Sequence, residues 1–439
     1  MYCLSTVNHP NTGYTLKTSV GFSNILNFAR FYYPKMQIMR KKTASIILTA
    51  LISMAAVQAQ SNNYLGQELN TITTAVPFLL ISPDARAGAM GDAGVASTPD
   101  ANSMHWNAAK YAFIEKEMGF SVSYSPWLRQ LVNDINLAYL TGYRKIDDQS
   151  AVAASLLFFS LGDITFTDII GNTIGQYRPN EFALDAAYAR KLTDKLSGSV
   201  SLRYIYSNLT QGQFVGSQAT KAGTSVATDV GIYHENTFRM KNRQQATLAW
   251  GVSITNIGAK ISYSDDNTAR DFIPTNLRLG PRFSFDIDEY NSLSFMFDIN
   301  KLLVPTPPYY DSIFINGEQQ IRAGMDPDVG VVTGMMQSFY DAPGGFSEEM
   351  REISFAIGAE YWYDKQFAIR AGYFHEDKTK GNRKFITLGA GLKYNVFGMD
   401  FSYLVAMDQR NPLENTLRFS LLFDFDAFAQ QNQDVPPRN

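Results

Sequence analysis

Leu417-Arg418-Phe419-Ser420-Leu421-Leu422-Phe423-Asp424-Phe425, close to the C-terminus, decides the fold. Leucine or phenylalanine occupies every odd position, while Arg, Ser, Leu and Asp fill the even ones. Residues two apart in a strand share a face, so this segment has one apolar, aromatic face and one largely polar face. The same pattern recurs far upstream. Met118, Phe120, Val122 and Tyr124 alternate with Gly119, Ser121 and Ser123. Val200, Leu202, Tyr204 and Tyr206 alternate with Ser199, Ser201, Arg203 and Ile205, and Leu293, Phe295, Phe297 and Ile299 with Ser294, Met296, Asp298 and Asn300. Such segments suit a soluble sandwich, with the apolar face as core, or an outer-membrane barrel, with that face toward lipid.

Connection lengths separate the two. The alternating segments run from 117–125 to 415–425, about fourteen in all, as an even-numbered antiparallel barrel requires. Every second connection is short: Ile146-Asp147-Asp148, Thr193-Asp194-Lys195, Asp288-Glu289 and Asp364-Lys365, with a modest Thr237–Arg243. Those between are mostly longer, at 163–180, 209–222, 258–275 and above all 301–350. Short periplasmic turns opposite long extracellular loops are the asymmetry of outer-membrane barrels, and a sandwich has no reason to show it. Tyr124, Trp127, Tyr139, Tyr143, Tyr233, Tyr263, Tyr361, Trp362, Tyr363, Tyr394 and Tyr403 fall near strand ends, where interfacial girdles are expected.

The start of the chain reads separately. Met39-Arg40-Lys41-Lys42, the apolar run Ala44 to Val57 and Val57-Gln58-Ala59 form a secretory signal over 39–59, cleaved before Gln60. Residues 1–38 precede that complete signal and read as an over-extended gene start. The single cysteine, Cys3, lies ahead of the cleavage site, which excludes disulfides from the mature chain. After the signal no stretch reaches the roughly 18 apolar residues of a membrane helix, so a membrane fold here must be a closed barrel. Residues 426–439 form a polar tail.

Residues 60–116 lack the strand pattern. Val76 to Ala96 includes Ser82-Pro83-Asp84-Ala85-Arg86-Ala87-Gly88-Ala89-Met90-Gly91-Asp92-Ala93-Gly94-Val95-Ala96, followed by Asp100 to Ala109 with Trp106-Asn107. Small residues let backbone approach backbone. Gly88, Gly91 and Gly94 lack the preceding strand and following helix of a phosphate loop. The segment reads as a compact hatch inside the barrel. Asp84, Arg86, Asp92 and Asp100 are available to pair with lumen-facing Arg203, Asp185, Arg278 or Arg370.

Pro83 to Ala96, with Pro99-Asp100-Ala101 and Trp106-Asn107, resembles the N-terminal signature of the PorV family, whose barrels are related in fold to FadL-type transporters. The similarity runs from about Gln60 to Phe425. One departure is Asn107-Ala108-Ala109, where FadL-like barrels often read Asn-Pro-Ala. The resemblance implies an all-β, FadL-like transmembrane barrel over 117–425 in the cell outer membrane. It implies a non-enzymatic part of the type IX secretion system that binds cargo through its C-terminal signal domain. Cargo would pass from the translocon to a cell-surface attachment complex containing the PorU sortase. The alternative is a FadL-like transporter of hydrophobic small molecules.

The long loop 301–350 is the expected cargo platform, through Tyr309, Tyr310, Phe314, Met335, Met336 and Phe339, because adaptable Met and aromatic side chains suit protein interfaces. A self-packed cap over the barrel mouth is the other expectation for it. Charge and motifs point to no other chemistry. A formal net charge of -3 offers no field for nucleic acid, and no HExxH, GxSxG or P-loop pattern occurs. His105, His234 and His375 fall in the hatch and at two strand ends, so no shared metal is expected, nor any cofactor. His375 would be the candidate of a lipid-face lipase. Asp265-Asp266-Asn267 and Asp326-Pro327-Asp328 are better read as solvated turns than as calcium sites.

Overall fold

The structure, a computed structural model, describes residues 69–425 apart from 130–131, 133, 168–169, 215–218, 241–243, 265–269, 316–317 and 408–412. The chain divides into two compact units, 1–67 and 68–439. The first, with residues 1–38, the expected signal segment and the start of the expected hatch, lies outside the described residues, as does the tail 426–439.

The strands are β1 (Met118–Pro126), β2 (Asn136–Lys145), β3 (Ser150–Ser160), β4 (Ile164–Thr167), β5 (Thr173–Tyr177), β6 (Asn180–Thr193), β7 (Leu196–Asn208), β8 (Gly223–Arg239) and β9 (Gln245–Gly258). They continue as β10 (Asn276–Asp286), β11 (Asn291–Leu302), β12 (Tyr309–Ile315), β13 (Glu318–Ala323), β14 (Ile353–Tyr363), β15 (Phe367–His375), β16 (Lys384–Tyr394), β17 (Phe397–Ala406) and β18 (Leu417–Asp424). Fourteen of them close into one antiparallel barrel, sealed where β1 pairs with β18 from Gly119↔Asp424 to Tyr124↔Phe419. Closure leaves no unpaired edge to hydrocarbon, which is why strands can span a bilayer.

Alternation sets the two faces. Phe120, Val122 and Tyr124 point outward and exposed while Ser121, Ser123 and Ser125 are buried inside. The turns on one rim are tight for local reasons. Asp147 Oδ1 accepts the N–H groups of Gln149 and Ser150, and Asp288 Oδ1 those of Tyr290 and Asn291. Asp364 and Lys365 both take φ 52°, the left-handed pair that matches strand twist in a two-residue hairpin. Both ends of the barrel lie on this rim, where Phe425 N–H donates to Met118 O at 2.9 Å.

Two expectations need correction. Tyr139, Tyr143 and Tyr233 are not girdle residues; they are buried at 2%, 5% and 0% exposure. They share a phase with Leu137, Thr141 and Gly231, which face inward, so their rings pack inside the barrel. Tyr124, Tyr363 and Tyr394 do stand outside. The stretches 163–180 and 301–350 are not plain loops. They fold into the hairpins β4–β5 and β12–β13, with a helix at Val331–Gln337. Tyr309, Tyr310 and Phe314 therefore belong to a strand, β12, outside the barrel wall.

Candidate functional site

Residues 84–113 touch inward-facing side chains on strands all round the closed barrel. Ala85 N–H donates to Ser420 Oγ of β18, Gly91 N–H to Thr387 Oγ1 of β16, and Asn107 Nδ2 to Ile232 O of β8. Asp298 of β11 accepts from Gly94 N–H at 2.7 Å and Val95 N–H at 2.9 Å. A segment bonded to opposite sides of a closed wall lies within it.

Its local order starts at Asp84, the N-cap of the short helix Ala85–Gly88. One carboxylate oxygen accepts Ala87 N–H at 2.8 Å and the other accepts Trp106 Nε1 at 2.6 Å. Burial, with the like charge of Asp100 behind it, lifts this carboxyl to about 6. Arg86 spans Asp100 and Glu360, and Glu360 also accepts from Arg370 Nε at 2.7 Å. Arg370 in turn reaches Asp400 at 2.7 Å, so five side chains form one chain of charge-assisted bonds.

Close approach explains the glycines. Gly91 has φ 69°, and a Cβ there would sit 2.6 Å from Tyr373 backbone. At Gly94 it would enter the Trp106 ring, and at Gly88 it would meet Arg418 Nη1. Asp92, also left-handed at φ 63°, approaches Arg418 at 3.7 Å. Asn107 caps the next turn, its side-chain Oδ1 accepting Ala109 N–H at 3.1 Å.

The expected partners differ in detail. Arg203 bonds Asp185 and Asp229 within the wall, and Arg278 donates to Asn300 at 2.7 Å and covers the Trp106 ring. Neither pairs with an acid of the N-terminal segment. The wall residue that does bind a charged side chain of that segment is Glu360, which pairs with Arg86 and escaped notice because Glu360-Tyr361-Trp362 reads only as a strand end. Further toward the long-loop rim the interior is apolar. Val76, Phe78 and Leu79 pack on Leu137, Leu157 and Ile205. Inward-facing Leu and Ile are at odds with a wholly polar lumen and are explained by the apolar segment that covers them.

The insertion between β11 and β14 is fastened to the rim. Lys301 of β11 bonds Glu349 at 3.0 Å and Glu352 at 2.7 Å, and Lys380 bonds Glu348 at 2.6 Å and Glu352 at 3.0 Å. Asn70 donates to Glu348 at 3.0 Å, tying in the N-terminal segment. Asp341 accepts Thr306 N–H, and burial pushes its carboxyl up to about 6. On this base Tyr310, Met336 and Phe339 are exposed, whereas Tyr309 and Met335 are half-buried. The side chain of Phe314 lies outside the described residues. Tyr340 and Phe346, aromatic residues of the same insertion, are 64% and 80% exposed, and Val332, which sequence reading missed, is 71% exposed. Asp326 Oδ1 accepts Asp328 N–H in an ordinary turn, and Asp265-Asp266-Asn267 lies outside the described residues.

Comparison with known proteins adds the family. The model of the type IX secretion system protein PorV matches residues 64–309, more than half of the 439-residue chain. No curated protein matches it. Similar solved structures include the toluene transporter TodX of Pseudomonas putida, with TM-score 0.44 and 10% identity over 78% of this chain and 98% of that one. The toluene transporter TbuX of Ralstonia pickettii gives 0.39 and 12% over 78% and 98%, and a FadL homologue of Pseudomonas aeruginosa gives 0.37 and 11% over 81% and 99%. Likeness at that level carries nothing about ligands. The barrel is an outer-membrane protein of a Gram-negative cell, and the chain belongs to the PorV family of type IX secretion system proteins.

Proposed function

We propose that this barrel receives type IX cargo through the cargo's C-terminal signal domain and carries it from the translocon to the sortase and attachment complex. It does so as a binding protein rather than an enzyme. The observation that carries the reading is the set of exposed apolar side chains on the β11–β14 insertion. Val332, Met336, Phe339, Tyr340 and Phe346 stand exposed on a segment whose base is fixed by buried ion pairs. Exposed apolar side chains on a firmly anchored segment suit protein docking. Residues 60–116 serve as the hatch, keeping the lumen shut while cargo is handled outside it. Asp84, Arg86, Gly88, Gly91, Asp92, Gly94, Trp106 and Asn107 hold it in place.

Replacing Met336, Phe339, Tyr340 and Phe346 together by Ser tests the reading. The barrel stays folded, cargo no longer co-purifies with it, and unprocessed cargo accumulates in the periplasm. Unchanged co-purification and anchoring from a folded variant would assign the insertion to capping alone.

A second reading, passage of a hydrophobic small molecule, draws on the apolar cluster around Phe78, Leu137, Leu157 and Ile205. It predicts gene-dependent uptake of a fatty acid or an aromatic hydrocarbon by a deletion strain. Absence of that uptake removes it.

A further inference from the structure

The outer wall carries a trough. Across three neighbouring strands the outward positions at one depth are Gly142, Ala154 and Ala186, joined by the pairs Gly142↔Ala154 and Ala154↔Ala186. On the long-loop side the next outward row is Leu140, Leu156 and Leu184; on the short-turn side it is Arg144, Val152 and Tyr188. Leu140 and Leu184 are each 47% exposed and form a ridge, so the small row between lies sunken. An open hollow of about 770 Å³ is lined by Leu140, Gly142, Val152, Ala154, Leu156 and Leu184, with Ala186 next to it in the small row. At one end Phe120 stacks instead on Phe423 and Phe425, at centroid distances of 4.7 and 5.6 Å. A Cβ at Gly142 would meet nothing closer than 3.4 Å, so internal packing does not require the glycine.

Arg144 lines the same hollow. It stands outward and exposed, two residues before the Ile146–Gln149 turn, with no side-chain partner among the described residues. The short-turn rim is the periplasmic one, so this cation sits where the phosphates of the inner leaflet lie. Arg190, outward on β6 beside the same rim, adds a second. Guanidinium groups bind phosphate oxygens in bidentate fashion, and an apolar groove ending in a cation matches a lipid's tail and headgroup.

We propose that a phospholipid of the periplasmic leaflet occupies this trough, an acyl chain lying over Gly142, Ala154 and Ala186 and its phosphate held by Arg144. Shape supplies the tail site and charge fixes the headgroup, which separates one retained lipid from the exchanging lipid around the rest of the barrel.

Native mass spectrometry of protein extracted from outer membranes in mild detergent tests this. Wild type retains a phospholipid-sized adduct. Ala154→Trp, which fills the trough, lowers its occupancy at least tenfold, and Arg144→Gln lowers it by about tenfold, the loss of one charge-assisted bond. Val226→Trp, an equally outward substitution on β8, leaves it unchanged. Equal occupancy in wild type and Ala154→Trp, or equal loss with Val226→Trp, overturns the proposal. Loss of a co-purifying protein instead of a lipid assigns the trough to a protein interface and also overturns it. Should Ala154→Trp fail to show a heat-modifiable folded band, a phospholipid with a photoreactive acyl chain decides on wild type: crosslinks confined to β2, β3 and β6 support the site, and crosslinks spread round the barrel refute it.

Discussion

Arg86 grips Glu360 with two parallel hydrogen bonds, Nε to Oε2 at 2.9 Å and Nη2 to Oε1 at 2.8 Å, joining a helix inside the barrel to strand β14 of its wall. Both side chains are nearly sealed from solvent, at 8% and 2% exposure. In such a place neither charge tolerates loss of its partner.

Glu360→Leu leaves Asp100 as the one carboxylate on Arg86 and Asp400 as the one on Arg370 among the described residues. Breaking a buried pair by removing one member costs roughly 3–5 kcal/mol. A urea titration of the barrel in vesicles is expected to show the midpoint falling accordingly. An unchanged midpoint would mean the N-terminal segment is held by packing and backbone hydrogen bonds instead.

The insertion's grip on the rim varies with pH. Burial raises the Asp341 carboxyl from 3.8 to about 6, with Glu349 and Glu352 adding like charge. A group raised in the folded state stabilises it fully below its unfolded value and loses that contribution as pH climbs through the folded one. Glu348 has the opposite sign: burial raises it, but hydrogen bonds from Lys380, Gly344 and Asn70 hold it below 4.5, so its contribution fades only in stronger acid. Between those limits Asp341 decides. Amide exchange in residues 303–352 should therefore be slower at about pH 5 than at about pH 7.5 once corrected for intrinsic rates, and Asp341→Asn should abolish the difference.

The two faces of β11 respond differently to charge. Phe295 is outward and 48% exposed, whereas Ser294 points inward and bonds Ser284 Oγ at 2.8 Å. Phe295→Arg costs on the order of 2–4 kcal/mol near the bilayer midplane, and Ser294→Arg costs less. Comparable loss of the heat-resistant band from both would invert the facing of this strand.

Orientation is open to direct labelling. Cys3 precedes the expected cleavage site, so a cysteine placed by substitution is the sole thiol of the mature chain. Asp326→Cys, in the insertion, should react with a membrane-impermeant maleimide on intact cells. Asp148→Cys, in the fully exposed β2–β3 turn, should react only after the outer membrane is opened. The reverse order of labelling would turn the barrel over.

Much of this architecture was legible in the chain itself. Period-two alternation and the parity of connection lengths lead to an antiparallel barrel of about fourteen strands, because lipid and lumen impose opposite demands on successive residues. Asp147, Asp288 and Asp364 announce their turns through local chemistry. The run from Pro83 to Ala96 carries the family resemblance. The tertiary structure alone decided what faces what inside. Tyr139 and Tyr143 resemble girdle residues until strand register fixes their phase, and register depends on neighbours distant in sequence. Glu360 becomes the partner of Arg86 only because closure brings residues 274 positions apart into contact. The rim latch of Lys301, Lys380, Glu348, Glu349 and Glu352, and the hollow over Gly142 and Ala154, likewise arise between segments. Local sequence encodes a face and a turn; which side chains meet across a closed wall is set by the closure itself.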